Sequence, residues 1–325
     1  MAETTSLSFT SAYELFSGLE QQLGKVVIGQ EQAVREIIIG LLAAGHILIE
    51  GVPGLGKTLL ARALATAAGV KFNRIQFTPD LMPADITGHA MLDMGSSSFK
   101  IRRGPIFCNI LLADEINRAP AKTQAALLEA MQEQQVTIEG TPLPLPAPFI
   151  VLATQNPIDQ DGTYPLPQAQ TDRFMCKVLI SYPAQDDEQR IISATTQSTI
   201  GHDLPLQSIS AMLTAEQISG AQKVLTSLTI DEQIYGYIVR IIRATREWGT
   251  IDFGAGPRGG INLLRAARAH AFMENRPFII PDDVKTVAPS VLRHRITLSA
   301  DMEIEGYSPD MIISDVLESV EAPRL

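Results

Sequence analysis

The sequence predicts an α/β protein in which a parallel sheet is covered by helices on both faces and is followed by a smaller, all-helical unit. Three observations lead to this. From His46 to about residue 180, short apolar runs alternate with helix-length segments, the signature of strands joined by crossover helices. A glycine loop, GVPGLGKT (51–58), links the first of those runs to a helix. Beyond Pro183 the strand signal gives way to helical periodicity.

Taken in order, SAYELFSGLEQQL and QEQAVREIIIGLLAAG carry apolar residues three and four apart and read as two helices within residues 11–44. HILIE, from His46, is the first strand candidate, and LLARALATAAG after the glycine loop is a helix closed by Gly69. KFNRIQF from Lys71, NILLAD from Asn109, PFIVLAT from Pro148 and MCKVLIS from Met175 are further strand candidates, with helical segments between most of them. The one biased stretch, GTPLPLPAP (140–148), has too many prolines for a central strand; with QVTIE before it, one arm of an exposed hairpin is expected. DDEQRIISATTQ, TAEQISGAQKVLTSL, IDEQIYGYIVRIIRATREW, GGINLLRAARAHAFMEN and PDDVKTVAPSVLRHRI then read as helices. The expected division is residues 1–183 for the α/β unit and 184–325 for the helical one, with no internal repeat.

Composition narrows the function. Of 325 residues, 45% are apolar, enough for a sizeable core. A net charge of -10 argues against a broad basic surface for nucleic acid. Cys108 and Cys176 both sit in apolar, strand-like segments and read as buried free thiols, not a disulfide framework. MAETTSLSFT has no basic region leading into an apolar run, and the longest apolar stretch, IIIGLLAAG from Ile37, is too short for a bilayer. A soluble cytoplasmic protein is expected.

The chemistry-bearing motifs lie at the ends of the strand candidates. GVPGLGKT matches G-x-x-x-x-G-K-[ST] at Gly51, Gly56, Lys57 and Thr58. Its glycines let backbone N–H groups curl round phosphates, Lys57 brings a positive charge to the β- and γ-phosphates, and the following helix directs its dipole at the anion. Gly51, Gly54, Leu55, Gly56, Lys57, Thr58 and Leu59 are therefore the candidate nucleotide contacts. Thr58 and Asp114 are the candidates for Mg²⁺, Asp114 largely through the ion's water shell. NILLADE puts Asp114 and Glu115 at a strand end, and Glu115 is the candidate to polarise an attacking water. IVLATQNP ends in Asn156, either an amide that orients that water or a turn residue before Pro157. QAQTDRF carries Arg173 beside Asp172, and GAGPRGG puts Arg258 at the start of a helix. Taken singly, these arginines read as an ion pair at a helix end and a solvated first-turn arginine.

Together and in this order, the motifs resemble the AAA+ ATPases and, within them, the MoxR family. The matching stretches are VVIGQEQAV, ILIEGVPGLGKT, FTPDLMPADITG, LLADEINRAPAKTQAALLEAMQE, VLATQNPIDQDGTYPLPQAQTDRF and PDDVKTVAPSVLRHRI, which span nearly the whole chain. The resemblance implies a five-stranded αβα core, a helical lid, and a homo-oligomeric ring, usually a hexamer, with ATP and Mg²⁺ between neighbouring subunits. It implies that Val27 and Ile28, in VVIG, line the adenine and that Asn156 is the first sensor. Arg173 would be the finger that reaches the neighbour's γ-phosphate. Arg258 would be the second sensor, contacting nucleotide held by the phosphate loop of its own subunit. Residues 89–104 resemble an insertion within the second core helix, and 135–148 the hairpin before the first sensor. Lys100, Arg102 and Arg103 would then lie on a ring-surface or pore element, with a solvated basic turn as the equal alternative. Arg118, in EINRAP, is a second candidate for contact across the interface. Gln168 and Thr171 stand where relatives often have Glu and Leu; the finger is intact.

For function, the resemblance implies chaperone-like remodelling or maturation of a client protein, metalloenzyme cofactor insertion included. A von Willebrand factor A domain protein would be the partner. The D-x-S-x-S metal motif of that domain is not found, and DMGSSS at Asp93 has the wrong spacing, so the partner is expected to be a separate chain. A nucleic-acid motor is the alternative from another class; the acidic balance and the lack of an appended winged helix weigh against it. A magnesium-chelatase-like motor subunit is the third reading.

Overall fold

The computed structural model describes residues 7–93, 98–157, 163–198 and 204–324. The chain opens with α1 (Phe9–Gly24), capped by the Ser8 hydroxyl, which accepts from the Ser11 N–H, and α2 (Glu31–Leu42). In α1 the residues Ala12, Phe16, Leu19 and Leu23 are buried, the four-three-four spacing of one helix face. Strand β1 (Ile47–Glu50) leads through the glycine loop into α3 (Lys57–Ala67), then β2 (Phe72–Gln76), the single turn α4 (Pro83–Thr87), β3 (Ile110–Asp114), α5 (Ala121–Glu133), β4 (Ile150–Gln155), α6 (Gln168–Thr171) and β5 (Cys176–Leu179). The sheet order is β2-β3-β4-β1-β5, and every pairing is parallel.

Both faces of this sheet are covered, which is why the strands read as apolar runs without alternation. Alternate residues feed two separate clusters: Ile47, Ile49, Ile110, Leu112, Ile150, Leu152 and Val178 face α1, α2 and α3, while Leu48, Leu111, Ala113, Val151 and Ala153 face Leu127, Leu128 and Met131 of α5. The two thiols behave as expected: Cys108 and Cys176 are free and buried, and burial pushes both up to about 12.

The hairpin expected at 135–148 is present. Gln135–Ile138 pairs antiparallel with Thr141–Pro144 across Glu139 and Gly140, at φ 47° and 75°, the two positive values a two-residue hairpin turn demands. The element at 89–104 departs from expectation. The antiparallel strands Gly88–Asp93 and Ser98–Arg103 follow one turn of helix, and among the described residues no helix resumes before β3. It is a hairpin placed after a helix turn, not within a helix; residues 94–97, part of the DMGSSS stretch, lie outside the described residues. Gly88, at φ 95°, is forced here, since a Cβ would lie 2.1 Å from the Arg102 carbonyl oxygen.

After β5 come α7 (Gln185–Ser198), α8 (Ala215–Thr226), α9 (Glu232–Glu247), α10 (Pro257–Met273), α11 (Pro281–Leu292), α12 (Ala300–Ile304) and α13 (Pro309–Ser319). The lid is helical with one addition, a small antiparallel ribbon of Ile251–Phe253 and Thr297–Leu298. Three and two residues are too few to show an alternating pattern, so the sequence reading missed them. Among the described residues no helix is long and apolar enough to cross a membrane.

The lid is not a separate body. Phe272 of α10 meets Phe9 and Phe16 of α1 edge-on, with ring centroids 5.3 and 6.2 Å apart. Arg295, after α11, is buried and donates to the Asp172 carboxylate (2.8 Å) and to the carbonyls of Asp172, Phe174 and Met175. Arg293 donates to the Lys177 carbonyl and, at 3.2 Å, His294 Nε2 donates to that of Phe174. The segment RHR thus fastens the lid along the start of β5.

His46 closes the opposite side of the core. Its Nδ1 accepts from the Val151 N–H (3.1 Å) and its Nε2 donates to the Met131 carbonyl (3.0 Å), so both bonds require the neutral ring. Burial holds its pKa down at about 4 against an ordinary 6.5. The folded state therefore resists protonation that the unfolded state accepts, and stability falls as pH drops from 6.5 toward 4. Between pH 7 and pH 5 this histidine should cost about 2 kcal/mol. Denaturant unfolding of His46→Gln at the two pH values should show a loss smaller than wild type by about that amount. His294, displaced in the same direction by its burial, remains in both proteins. Equal losses in the two proteins would refute the assignment.

Candidate active site

The strand order places β3, β4 and β1 side by side, so the segments leaving their carboxyl ends meet in one crevice. Gly51 follows β1 and packs against the end of β5, where a Cβ would lie 2.7 Å from the Ile180 carbonyl oxygen. Gly54 and Gly56 are glycines for another reason. They hold φ 87° and 77°, yet a Cβ on either would meet nothing within 4 Å, so the constraint is conformational and the space above them is open. Gly56 caps α3 without any side-chain bond to its first turn, unlike Ser8 on α1 or Asp231 on α9. The first N–H groups of α3 are left for an anion. Lys57 Nζ donates to the carbonyls of Gly51 and, at 3.3 Å, Val52. Burial lowers its pKa, opposed by the charges of Asp114, Glu115 and Glu50. Open cradle, uncapped amides, one lysine and facing carboxylates fit a nucleotide triphosphate. Thr58 and Asp114 are the groups that would hold Mg²⁺, whose part is to neutralise phosphate charge.

Asp114 and Glu115 are braced by residues that the motif reading did not pick out. The Thr154 hydroxyl donates to Asp114 Oδ1 (2.6 Å) and accepts from the Glu115 N–H (2.8 Å). Arg74 Nη2 donates to Asp114 Oδ2 (2.7 Å). Glu115 itself sits in the left-handed region, φ 56° and ψ 52°, which costs a residue with a Cβ roughly 1–2 kcal/mol. The turn swings its carboxylate to Gln76, which donates to Oε2 at 2.8 Å, and to Arg118, which donates at 3.1 Å. The sequence carries only a trace of these braces: Arg74 and Gln76 are polar residues in β2 and Thr154 is a polar residue inside the buried β4, but nothing in the residue pattern names their partners. Thr154→Val keeps the shape but leaves Asp114 Oδ1 and the Glu115 N–H without this partner, at about 1–3 kcal/mol for each buried group. The expected result is lower stability and slow turnover with nucleotide affinity retained. Thr154→Ser should recover both, and a valine variant that turns over normally would remove the brace from the argument.

Asn156 is buried just past β4, level with Gly51 because Glu50 pairs with Gln155. The stretch 158–162, within the matching motif that follows it, lies outside the described residues. Val27 is buried and Ile28 half-buried, and Gly29 abuts Pro183 and Asp187. Gln30 donates to the Ser181 carbonyl (2.7 Å), which ties this segment to the exit of β5 beside Gly51. Leu55 and Leu59 are half-buried along the same loop and helix.

The arginines divide differently from expectation. Arg258 is on α10, and its Nη1 lies 3.7 Å from Asp172 Oδ2. It shares a cleft with Arg173 and with Ala44, Gly45 and His46, which precede β1. The phosphate loop follows β1, so from His46 to Gly51 the two ends are roughly 16 Å apart at about 3.3 Å per residue. The structure does not bring Arg258 to the phosphate loop of its own chain. The physical reason is the clamp by Arg293, His294 and Arg295, which sets the lid against the start of β5. Arg173 stands beside Arg258, and among the described residues its guanidinium has no ion-pair partner; the neighbouring Asp172 is already held by Arg295 and Arg258. Arg118 turns inward onto Glu115. Lys100, Arg102 and Arg103 are exposed on the hairpin strand Ser98–Arg103, with Arg103 stacked 5.0 Å over Phe107.

Comparison with known proteins fits this geometry. Residues 46–176 match the ATPase family associated with various cellular activities (AAA), and residues 243–316 match the AAA lid domain. The chain is 41% identical to Chaperone MoxR1 of Mycobacterium tuberculosis over 94% of its own length and 81% of that protein's. It belongs to the MoxR family of AAA+ ATPases. Protein MoxR of Methylorubrum extorquens is 30% identical across 94% of both chains. A crystal structure of an ATPase candidate from Cytophaga hutchinsonii superposes with a TM-score of 0.89 at 40% identity, covering 97% of each chain. In this MoxR-family chain the αβα core, the parallel sheet and the helical lid are thus as the motifs implied.

Proposed function

We propose that this chain hydrolyses ATP at sites shared between neighbouring copies in a hexameric ring and uses the turnover to remodel a client protein. The observation that carries the shared site is the split between its two halves. The phosphate loop, Asp114, Glu115 and Asn156 gather at the carboxyl ends of β3, β4 and β1, whereas Arg173 and Arg258 gather at the opposite edge. An open phosphate loop with its two acids at one end and two arginines displayed at the other are complementary when copies stack head to tail. In this reading Lys57 and Thr58 hold the phosphates, Asp114 positions Mg²⁺ through its water shell, and Glu115 takes the proton of the attacking water that Asn156 orients. Val27 and Ile28 cover the base. Arg173 from the neighbour stabilises charge on the γ-phosphate, with Arg258 beside it.

The remodelling role rests on the likeness to Chaperone MoxR1, and a separate von Willebrand factor A domain protein is the proposed partner. The net charge of -10 supports a protein client over nucleic acid. The test is ATP turnover per subunit against protein concentration, with sedimentation run in parallel. Activity per subunit should rise as assembly proceeds. Activity that stays flat down to concentrations where only monomer sediments would overturn the shared site.

A further inference from the structure

Helix α7 leaves the core at Pro183, beside the phosphate loop, and packs on almost nothing. Pro183 and Asp187 touch Gly29, but from Gln185 to Thr196 no side chain is buried, and Ile192 is 64% exposed. Fourteen residues are too few for a stable helix in water without tertiary contacts. Its first turn is acidic, with Asp186, Asp187 and Glu188, and Glu188 lies one turn before Ile192 on the same face.

A complementary surface exists on the lid. Between α9 and α10 runs an apolar groove of about 560 Å³, floored by Ile242 and Leu264, with Val239 and Ile261 open to solvent and Arg243 and Arg246 on its rim. Val239 is 55% exposed. Ile261 also lines the cleft that holds Arg173 and Arg258, so the groove continues the arginine edge. The chain thus carries an acidic helix with an exposed isoleucine next to its phosphate loop, and a basic-rimmed apolar groove next to its arginines.

We propose that α7 of one subunit docks in the α9–α10 groove of the next, Ile192 entering between Val239 and Ile261 and Glu188 meeting the rim arginines. The inference rests on the shared-site reading for the direction of stacking: because Ile261 lines both the arginine cleft and the groove, a neighbour that turns Arg173 toward this chain's phosphate loop turns the groove toward the same side, where α7 begins. The occupant is a second copy of the chain, chosen by charge, by apolar fit and by continuity with that edge.

Cysteine pairing tests it. Cys108 and Cys176 are buried, with thiols pushed up to about 12, and give little background. Ile192→Cys and Val239→Cys are both on exposed positions and should fold. An equimolar mixture, with ATP and a mild oxidant, should form a disulfide-linked two-chain species that neither variant forms alone. Adding Arg243→Glu to the Val239→Cys chain should reduce that species, and Glu188→Arg on the Ile192→Cys chain should recover it. No two-chain species, an equal one from Ile192→Cys alone, or a link within a chain bearing both cysteines would overturn the proposal. Failure here while a mixture of Lys57→Ala and Arg173→Ala is active would remove the docking contact alone; failure of both would remove the shared site beneath it.

Discussion

Mixing Lys57→Ala with Arg173→Ala, each inactive by itself, is expected to restore ATP turnover. An arginine finger contributes ~10³–10⁵ in rate, or roughly 4–7 kcal/mol of transition-state stabilisation. Arg173→Ala should therefore bind nucleotide and barely turn it over, while Lys57→Ala has an empty loop. Where a Lys57→Ala subunit offers its intact Arg173 to the nucleotide of an Arg173→Ala subunit, one complete site forms. The competing role, an ion pair with Asp172 inside the chain, is poorly placed because Asp172 already holds Arg295 and Arg258. The measurement is a titration of one variant into the other at fixed total protein, with subunit exchange followed by fluorescence. Exchange with a flat activity curve would sink the finger assignment and turn attention to Arg118, now seen bonded to Glu115.

The second large effect separates holding nucleotide from cleaving it. Lys57→Ala should abolish detectable binding, because GVPGLGKT loses the lysine that carries its positive charge. Glu115→Gln keeps the size of the side chain and leaves Thr154, Asp114 and the cradle untouched. It should bind normally and lose about 10²–10⁴ in turnover, the usual contribution of a general base. Fluorescent-nucleotide titration and phosphate release measure the two quantities. Equal loss of affinity in both variants would contradict the division of roles.

The motifs were legible because each occupies consecutive residues at a strand end, where sequence distance and spatial distance agree. GVPGLGKT needs only its own backbone and the helix after it. What holds Asp114 and Glu115 was not legible, because Arg74, Gln76 and Thr154 come from two other strands and meet the acids only through the sheet register, Gln76 opposite Asp114. The position of Arg258 was not legible for a related reason. Being near a helix start says nothing of which edge of the sheet that helix faces; the buried Arg295 decides this from 37 residues further along the chain, by bonds to Asp172, Phe174 and Met175. The hairpin at Ser98–Arg103 was visible as an insertion, but its relation to a helix depends on tertiary context that periodicity does not carry.

Composition changes sharply at Pro183, and that border invites the knife. The packing says otherwise. Phe272 lies among Phe9, Tyr13 and Phe16, and α8 buries Ile218, Ala221 and Leu225 in the cluster that also contains Ile37 and Leu64. A fragment ending at 183 would carry the whole phosphate loop and both acids, yet expose the apolar outer side of its first two helices to water. Such a fragment should be sticky and poorly soluble however complete its chemistry looks on paper. The place where the protein can be divided for inspection is not a place where it can be divided in the tube.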